Sequence, residues 1–270
     1  MFSRFTGKIR HFFGTPLCLK PRFLSGWLRR KYRQTLPCAL PSCQYLLHIP
    51  RSEFYLSYFY FAETKPGREE IAHFVSRLNR NDSVIDVGAF CGVYSFAAKA
   101  ATGGDAQVTA IEASAVNVDR LYRVSTANSI LSVQIIHALL SESNLPAVEI
   151  GTQDLMVRLG DSNTAFDCQE TSAPSATLDR LVAEHQISPT VIKVDVDGYE
   201  WKFLNGAKKT LIQFRPWIWL EVHPEYLARQ GISVSQIHSF FSELDYKSIP
   251  YSDAKSSTAS ISHHIIFEPK

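Results

Sequence analysis

Acidic residues are missing from the start of this 270-residue chain: none precedes Glu53, whereas Arg4, Lys8, Arg10, Lys20, Arg22, Arg29, Arg30, Lys31 and Arg33 do. The formal charge of the whole is only +2, so the remainder is net acidic, and a nucleic-acid partner spread over the whole surface has no support. No apolar run approaches the length of a membrane span. Cysteine is sparse and odd in number, at five, with no C-x-x-C pair. That argues against a disulfide framework and a zinc ribbon, and for a reduced compartment. The dinucleotide fingerprint G-x-G-x-x-G is absent, which counts against a nicotinamide oxidoreductase. Neither an internal repeat nor a low-complexity tract is visible.

What is present centres on residues 83–92. Ser83 to Val87 is β-branched and apolar after Asn81-Asp82, and reads as a buried strand. It runs into Asp86-x-Gly88-x-x-x-Gly92, with a helix continuing from Tyr94 to Ala101. Strand, glycine turn and helix open a doubly wound sheet, and such a turn cradles a cofactor. Gly88 lets the backbone turn sharply and approach a ligand. Asp86 at the strand end would repel a pyrophosphate and suits a cationic amine, such as the methionine end of S-adenosyl-L-methionine. Cys91, inside the turn, reads as a small buried thiol and not as a nucleophile.

Strand and helix then alternate: strands at Gln107 to Glu112, Val133 to Leu140, Thr190 to Val196 and Trp217 to His223, helices at Asn117 to Ala127, Leu178 to Glu184, Tyr199 to Ile212 and Val234 to Leu244. This predicts an α/β fold with a mainly parallel sheet and helices on both faces. Tyr246 to Ile249 and His264 to Phe267 predict an antiparallel pair at the sheet edge. Arg68 to Leu78 reads as a helix leading into the first strand. Ser141 to Ser175 interrupts the alternation, with candidate strands at Ala147 to Ile150 and Leu155 to Leu159 and a polar loop from Gly160 to Ser175, taken as an insertion near the site mouth. The aromatic run Glu53 to Phe61 reads as a strand or hairpin. Prolines 16, 21, 37, 41 and 50 predict loop with short helices before it.

Two domains follow: a basic, partly helical, loosely packed arm over residues 1–50, and a catalytic domain over 51–270. In the arm, Phe2, Phe5, Ile9, Phe12 and Phe13 recur at helical spacing opposite Arg4 and Lys8. Three readings stay open: a peripheral membrane contact, a helix docked on the domain, and a mitochondrial transit peptide. The expected location is cytoplasmic, with membrane-peripheral contact through the arm and the transit peptide as the alternative.

Ligands of open α/β sheets bind beyond the carboxyl ends of the strands. Those ends carry Asp86, Glu112, Asp195, Glu221 and His223, polar groups whose desolvation would be costly unless paired. Glu112, about twenty residues beyond the turn, suits two ribose hydroxyls. Lys193 shares a strand face with Asp195, its natural partner, either as a structural ion pair or beneath the reacting centre. His223 is the best candidate general base, because an imidazole titrates near neutrality, and Asp195 is the alternative base. Asp195, Asp197, Glu221 and His223 form an alternative set for a hard divalent ion, but their spacing is no recognised ligand motif and no metal is predicted. Cys38 and Cys43 read as structural.

Asp86-Val-Gly-Ala-Phe-Cys-Gly92, Ala110-Ile-Glu112, Thr177-Leu-Asp179, Lys193-Val-Asp-Val-Asp-Gly-Tyr-Glu200, Leu204-Asn-Gly-Ala207 and Leu220-Glu-Val-His223 occur in that order. Together they resemble the FkbM family of S-adenosylmethionine-dependent methyltransferases, over about Arg51 to Ile249. The resemblance implies a Rossmann-like class I methyltransferase sheet of seven strands, one of them antiparallel. It implies that Asp86, Gly88, Ala89 and Gly92 hold the methionine end, Glu112 the ribose, and that Asp195 borders the sulfonium. It also implies an O-methyltransferase acting on a hydroxyl of a sugar, glycan or other secondary metabolite. Four positions depart from the family pattern: Phe90 for asparagine, Ala113 for proline, Val124 for asparagine and Asp197 for glutamate. A non-catalytic scaffold, with its function carried by the basic arm, is the competing expectation.

Overall fold

The structure is a computed structural model that describes residues 35–43, 45–50, 55–129, 131–150, 171–251 and 263–270. The arm expected to be partly helical, as far as residue 34, the candidate strand Leu155 to Leu159 and the polar run as far as residue 170 lie outside the described residues.

A seven-stranded sheet organises the chain. In sequence order its strands are β3 (Ser83–Val87), β4 (Gln107–Glu112), β5 (Gln134–His137), β9 (Val191–Val194), β10 (Trp217–Val222), β11 (Tyr246–Pro250) and β12 (His263–Pro269). Across the sheet the order is β11-β12-β10-β9-β3-β4-β5. The five strands from β10 to β5 pair in parallel, and β12 runs antiparallel to both β10 and β11. One reversed strand in seven is the expected architecture, and the edge pair at the C-terminus is as the sequence predicts.

Alternation along each central strand feeds two separate apolar layers. Val84, Val108, Ala110, Val191 and Trp219 join one buried cluster. Ile85, Val87, Ile111, Ile192, Val194, Ile218 and Leu220 join the other. The first layer is covered by α1 (Tyr55–Glu63), α2 (Lys65–Ser76), α3 (Val93–Ala101) and α4 (Ala115–Ala127). The second is covered by α5 (Leu178–Glu184), α6 (Glu200–Asn205), α7 (Lys208–Phe214), α8 (Pro224–Arg229) and α9 (Val234–Glu243).

Five local expectations need correction. The aromatic run 55–63 is helix, not strand, because Tyr58 and Ala62 lie one turn apart and both bury in the first cluster. Residues 35–50 form a hairpin, not a loop: β1 (Thr35–Cys38) pairs antiparallel with β2 (Leu47–Pro50), and Cys38, Leu47 and Ile49 are buried in the same cluster. Pro37 is tolerated because both strands of a two-stranded hairpin are edges. The third strand divides at Ala138, after which β6 (Leu139–Leu140) joins a separate sheet of order β6-β8-β7. There β7 (Leu145–Ile150) pairs antiparallel with β8 (Thr171–Ala176), so the end of the expected polar loop is strand. The helix expected from Tyr199 to Ile212 breaks between α6 and α7, where Gly206 packs on the chain: a Cβ there would lie 2.1 Å from the Ser141 carbonyl oxygen.

Candidate active site

The turn between β3 and α3 is built from left-handed residues. Gly88, Phe90 and Gly92 have φ of 69°, 51° and 82°. Gly88 is required by packing as well as conformation, since a Cβ would sit 1.8 Å from the Asp195 carbonyl oxygen. The turn's amides are committed: Gly88 and Ala89 donate to the Ile111 carbonyl at 2.9 and 3.2 Å, and Gly92 donates to Ala89 at 2.7 Å. Phe90 donates to Glu112 Oε2 at 2.8 Å. A turn whose amides are used in this way offers few donors to a phosphate, and since its Gly88, Ala89, Cys91 and Gly92 carbonyls are bonded as well, it is the acids around it that favour a cation.

Glu112 is buried at the end of β4 and also accepts from the Ser114 amide at 2.8 Å and from Asn117 Nδ2 at 3.4 Å. Burial raises its carboxyl above the usual range against those bonds. A carboxylate has about four acceptor positions, so it retains capacity for a ribose hydroxyl. The Phe90 ring packs against the first apolar cluster. Val124, another departure from the family pattern, is wholly buried in it. Cys91 is buried as expected, and burial pushes its thiol up to about 12.

Beneath the turn lies an ion pair. The register places Asp86 opposite Lys193. Lys193 Nζ lies 3.2 Å from Asp86 Oδ1 and 3.7 Å from Asp195 Oδ2. It donates to the Gly88 carbonyl at 3.2 Å and stands 4.9 Å from the Tyr94 ring centre. Ser95 Oγ donates to Asp86 Oδ2 at 2.6 Å. Burial works against the ammonium, yet Asp86 and Asp195 outweigh it and hold Lys193 charged. Asp86 is only 1% exposed, so it supports the turn from below and the nearer partner of Lys193 is Asp86, not Asp195.

The opposite wall is an imidazole among acids. His223 Nδ1 lies 2.7 Å from Glu200 Oε1, and Nε2 lies 3.3 Å from Asp197 Oδ1, 3.8 Å from Glu221 Oε1 and 3.9 Å from Asp195 Oδ1. Burial opposes charging the ring, but the Glu200 bond and the neighbouring carboxylates lift His223 to about 9. Burial together with Glu221 raises Asp195 to about 7. Burial raises Asp197 to about 6, against the pull of His223. The carboxyl ends of β9 and β10 therefore carry a base near its midpoint beside a charged imidazole.

Asp86, Asp195, Glu221, His223 and Lys193 thus converge, while Glu112 stands at the turn's other side. Sequence reasoning gave no role to Glu200, Glu70, Tyr94 or His264. His264 Nε2 lies 3.3 Å from Glu221 Oε2 and 3.7 Å from Glu70 Oε1, and the Tyr94 hydroxyl donates to Glu70. The Lys-x-Asp-x-Asp-Gly-x-Glu block ending at Glu200 was legible as a motif, but the contact of Glu200 with His223 spans 23 residues and is set by the fold. Nothing local in the sequence marks Glu70.

S-adenosylmethionine carries a sulfonium and an ammonium, and this site fits it: committed amides, a ribose-distance acid and an excess of carboxylates at the strand ends. Residues 86–248, more than half of the chain, match the family model described as Methyltransferase FkbM domain. The structure resembles a methyltransferase FkbM from Methylobacillus flagellatus KT, with 15% identity and a TM-score of 0.50 over 79% of this chain and 53% of that one. The match thus spans about half the length of that protein. It also resembles a precorrin-6y C5,15-methyltransferase from Geobacter metallireducens GS-15, with 12% identity and a TM-score of 0.46 over 75% and 88% of the two chains. A third likeness is to M. jannaschii TYW2 in complex with AdoMet, with 12% identity and a TM-score of 0.43 over 88% and 87%. No curated protein matches. Among the described residues no helix is long and apolar enough to cross a membrane.

Proposed function

The chain belongs to the FkbM methyltransferase family, and from that premise we propose that it is an O-methyltransferase transferring a methyl group from S-adenosylmethionine to a hydroxyl of a sugar, glycan or other secondary metabolite. The observation that carries this reading is the turn at Gly88–Gly92, whose committed amides and acidic surroundings suit a cationic donor. When bound, the donor supplies an electrophilic methyl on sulfur.

The chain's own work is alignment and proton removal. Glu112 takes the ribose, and the Gly88 turn, with Asp86 and Lys193 fixed beneath it, sets the floor of the donor site. A sugar hydroxyl is a weak nucleophile, so its proton must leave as the new bond forms. Asp195, raised to about 7, receives it. His223, held near 9, is charged at neutral pH and steadies the carboxylate beside it instead of acting first as the base. The oxygen acceptor is placed at the mouth between Asp195 and Asp197, whose side chains are 34% and 35% exposed.

Calorimetry with S-adenosylmethionine followed by radiolabelled methyl transfer to glycans and small hydroxyl compounds tests the reading. Asp195→Asn should retain donor binding and lower turnover about a hundredfold or more. Full turnover in that variant, or no heat from the donor at saturation, overturns the proposal.

A further inference from the structure

We propose that Asp195, Asp197 and His223 form a binding site for a hard divalent cation of the Mg2+ or Mn2+ class. This goes beyond methyl transfer and does not depend on it. One ligand atom from each of the three side chains lies within 4.8 Å of the others. Measured from His223 Nε2, Asp197 Oδ1 is at 3.3 Å and Asp195 Oδ1 at 3.9 Å. An octahedral ion with bonds of about 2.1 Å needs neighbouring ligand atoms about 3 Å apart and opposite ones about 4.2 Å apart. The observed spacings fall in that interval.

Two features outside the trio point the same way. Glu200 is wholly buried and holds His223 Nδ1 at 2.7 Å, which turns Nε2 towards the two aspartates. A carboxylate behind the far nitrogen of an imidazole is the usual outer support of a metal-binding histidine. The second oxygen of Glu200, Oε2, is buried without a hydrogen-bond partner. Negative charge therefore accumulates behind His223, and Lys193 offsets only part of the charge on the trio, because it stands 3.7 Å from Asp195 Oδ2 while its nearest acid is Asp86 at 3.2 Å.

The backbone is also shaped to bring the acids together. Asp197 has φ 43° and Gly198 φ 98°, so the chain reverses directly after Asp195. Gln230 Nε2 clamps that reversal by donating to the Gly198 carbonyl at 2.6 Å. A non-glycine residue held left-handed is strained and persists where its surroundings fix it. The side chains of both aspartates remain about one-third exposed, which leaves positions for water or an acceptor's oxygens. Mg2+ and Mn2+ take such partial protein cages, and a set with two carboxylates and no thiolate favours them over softer metals. The ion would take the place of the proton that His223 Nε2 otherwise carries at neutral pH. Where methyl transfer is the activity, such an ion would hold the acceptor oxygen and ease loss of its proton.

The test uses the full chain without the methyl donor, titrated with Mn2+ and followed by electron paramagnetic resonance and calorimetry. One bound Mn2+ per chain, displaced by Mg2+, is expected. Asp197→Asn should weaken binding at least tenfold, and Glu200→Gln, which keeps the side chain's bulk, about ten- to a hundredfold. Circular dichroism shows that each variant is folded, and the more exposed Asp197 position keeps the test valid if Glu200→Gln is not. No bound Mn2+ in the unsubstituted chain at millimolar metal, or unchanged binding in the folded variants, overturns the inference. Donor binding is measured separately, so a chain that takes S-adenosylmethionine but no Mn2+ retires the metal site alone.

Discussion

Lys193→Met is the sharpest probe of how the site is held. The methionine keeps most of the side chain's length and apolar contact but removes the ammonium. Asp86 is then left 1% exposed with Ser95 as its remaining side-chain donor. Removing one member of a buried pair costs about 3–5 kcal/mol, because the other charge stays desolvated. For a chain of this size 1 kcal/mol moves the melting temperature by about 2–4 °C, so a fall of roughly 6–20 °C is expected. Adding Asp86→Asn should recover most of the loss, since an uncharged pair of similar shape replaces an ionic one at little net cost. Urea and thermal unfolding of the four proteins in the double-mutant cycle give the coupling, expected to exceed about 2 kcal/mol. A loss below about 1 kcal/mol for Lys193→Met, or a double variant no more stable than the single one, would show that Asp86 does not need this ammonium.

Two further outcomes follow from buried groups away from the strand ends. Burial holds the Tyr58 phenol well above its usual 10, and pushes the Cys38 and Cys91 thiols from 9.0 to about 12. The unfolded chain releases these protons first, so the native state binds more protons and stability must fall as pH rises through about 9 to 11, by about 1.4 kcal/mol per pH unit for each group. Urea midpoints across that range should show the fall, and Tyr58→Phe should make it shallower; a flat profile refutes the assignment. Asn128 staples the hairpin to α4: Oδ1 accepts from the His48 amide at 2.7 Å, while Nδ2 donates to the His48 and Val124 carbonyls at 2.9 and 2.8 Å. Asn128→Ala should cost about 2 kcal/mol by leaving buried backbone groups unmet, and a thermal scan with no shift would dismiss the staple.

The sheet was legible because its central strands are buried on both faces and read as near-continuous apolar runs, with Asp86 and Lys193 as the exceptions in β3 and β9. Val84 to Val87 and Val191 to Val194 needed no context to be recognised. The helix at Tyr55–Glu63 was not legible, since its Tyr and Phe residues are favoured in strands, and packing against Cys38, Phe74 and Tyr94 decides its form. The break at Gly206 and the hairpin at 35–50 were hidden for a related reason: each is fixed by contact with distant chain. In the site, Asp86, Asp195, Glu221 and His223 were readable as residues at strand ends. Their pairing was not. The sequence places Asp195 two residues from Lys193, but the parallel register sets Asp86 nearer, and no spacing rule links Glu200 to His223.

The reversed strand explains why this edge of the sheet is so densely charged. In a purely parallel sheet only carboxyl ends reach the ligand side. Because β12 runs backwards beside β10, its beginning lies at that same edge, and the register sets His264 directly opposite Glu221. The imidazole gives Glu221 a partner at 3.3 Å and reaches Glu70 on α2 at 3.7 Å, while Glu221 approaches His223 from the other side. A chain of alternating acids and imidazoles thus crosses from α2 to the turn after β9. Burial opposes charging His264, but the bond to Glu221 and the neighbouring carboxylates outweigh it and hold the imidazole above its usual range. The antiparallel strand therefore contributes to the electrostatics of the site as well as closing the sheet, and it does so from a residue more than forty positions beyond the last recognisable motif at Leu220–His223.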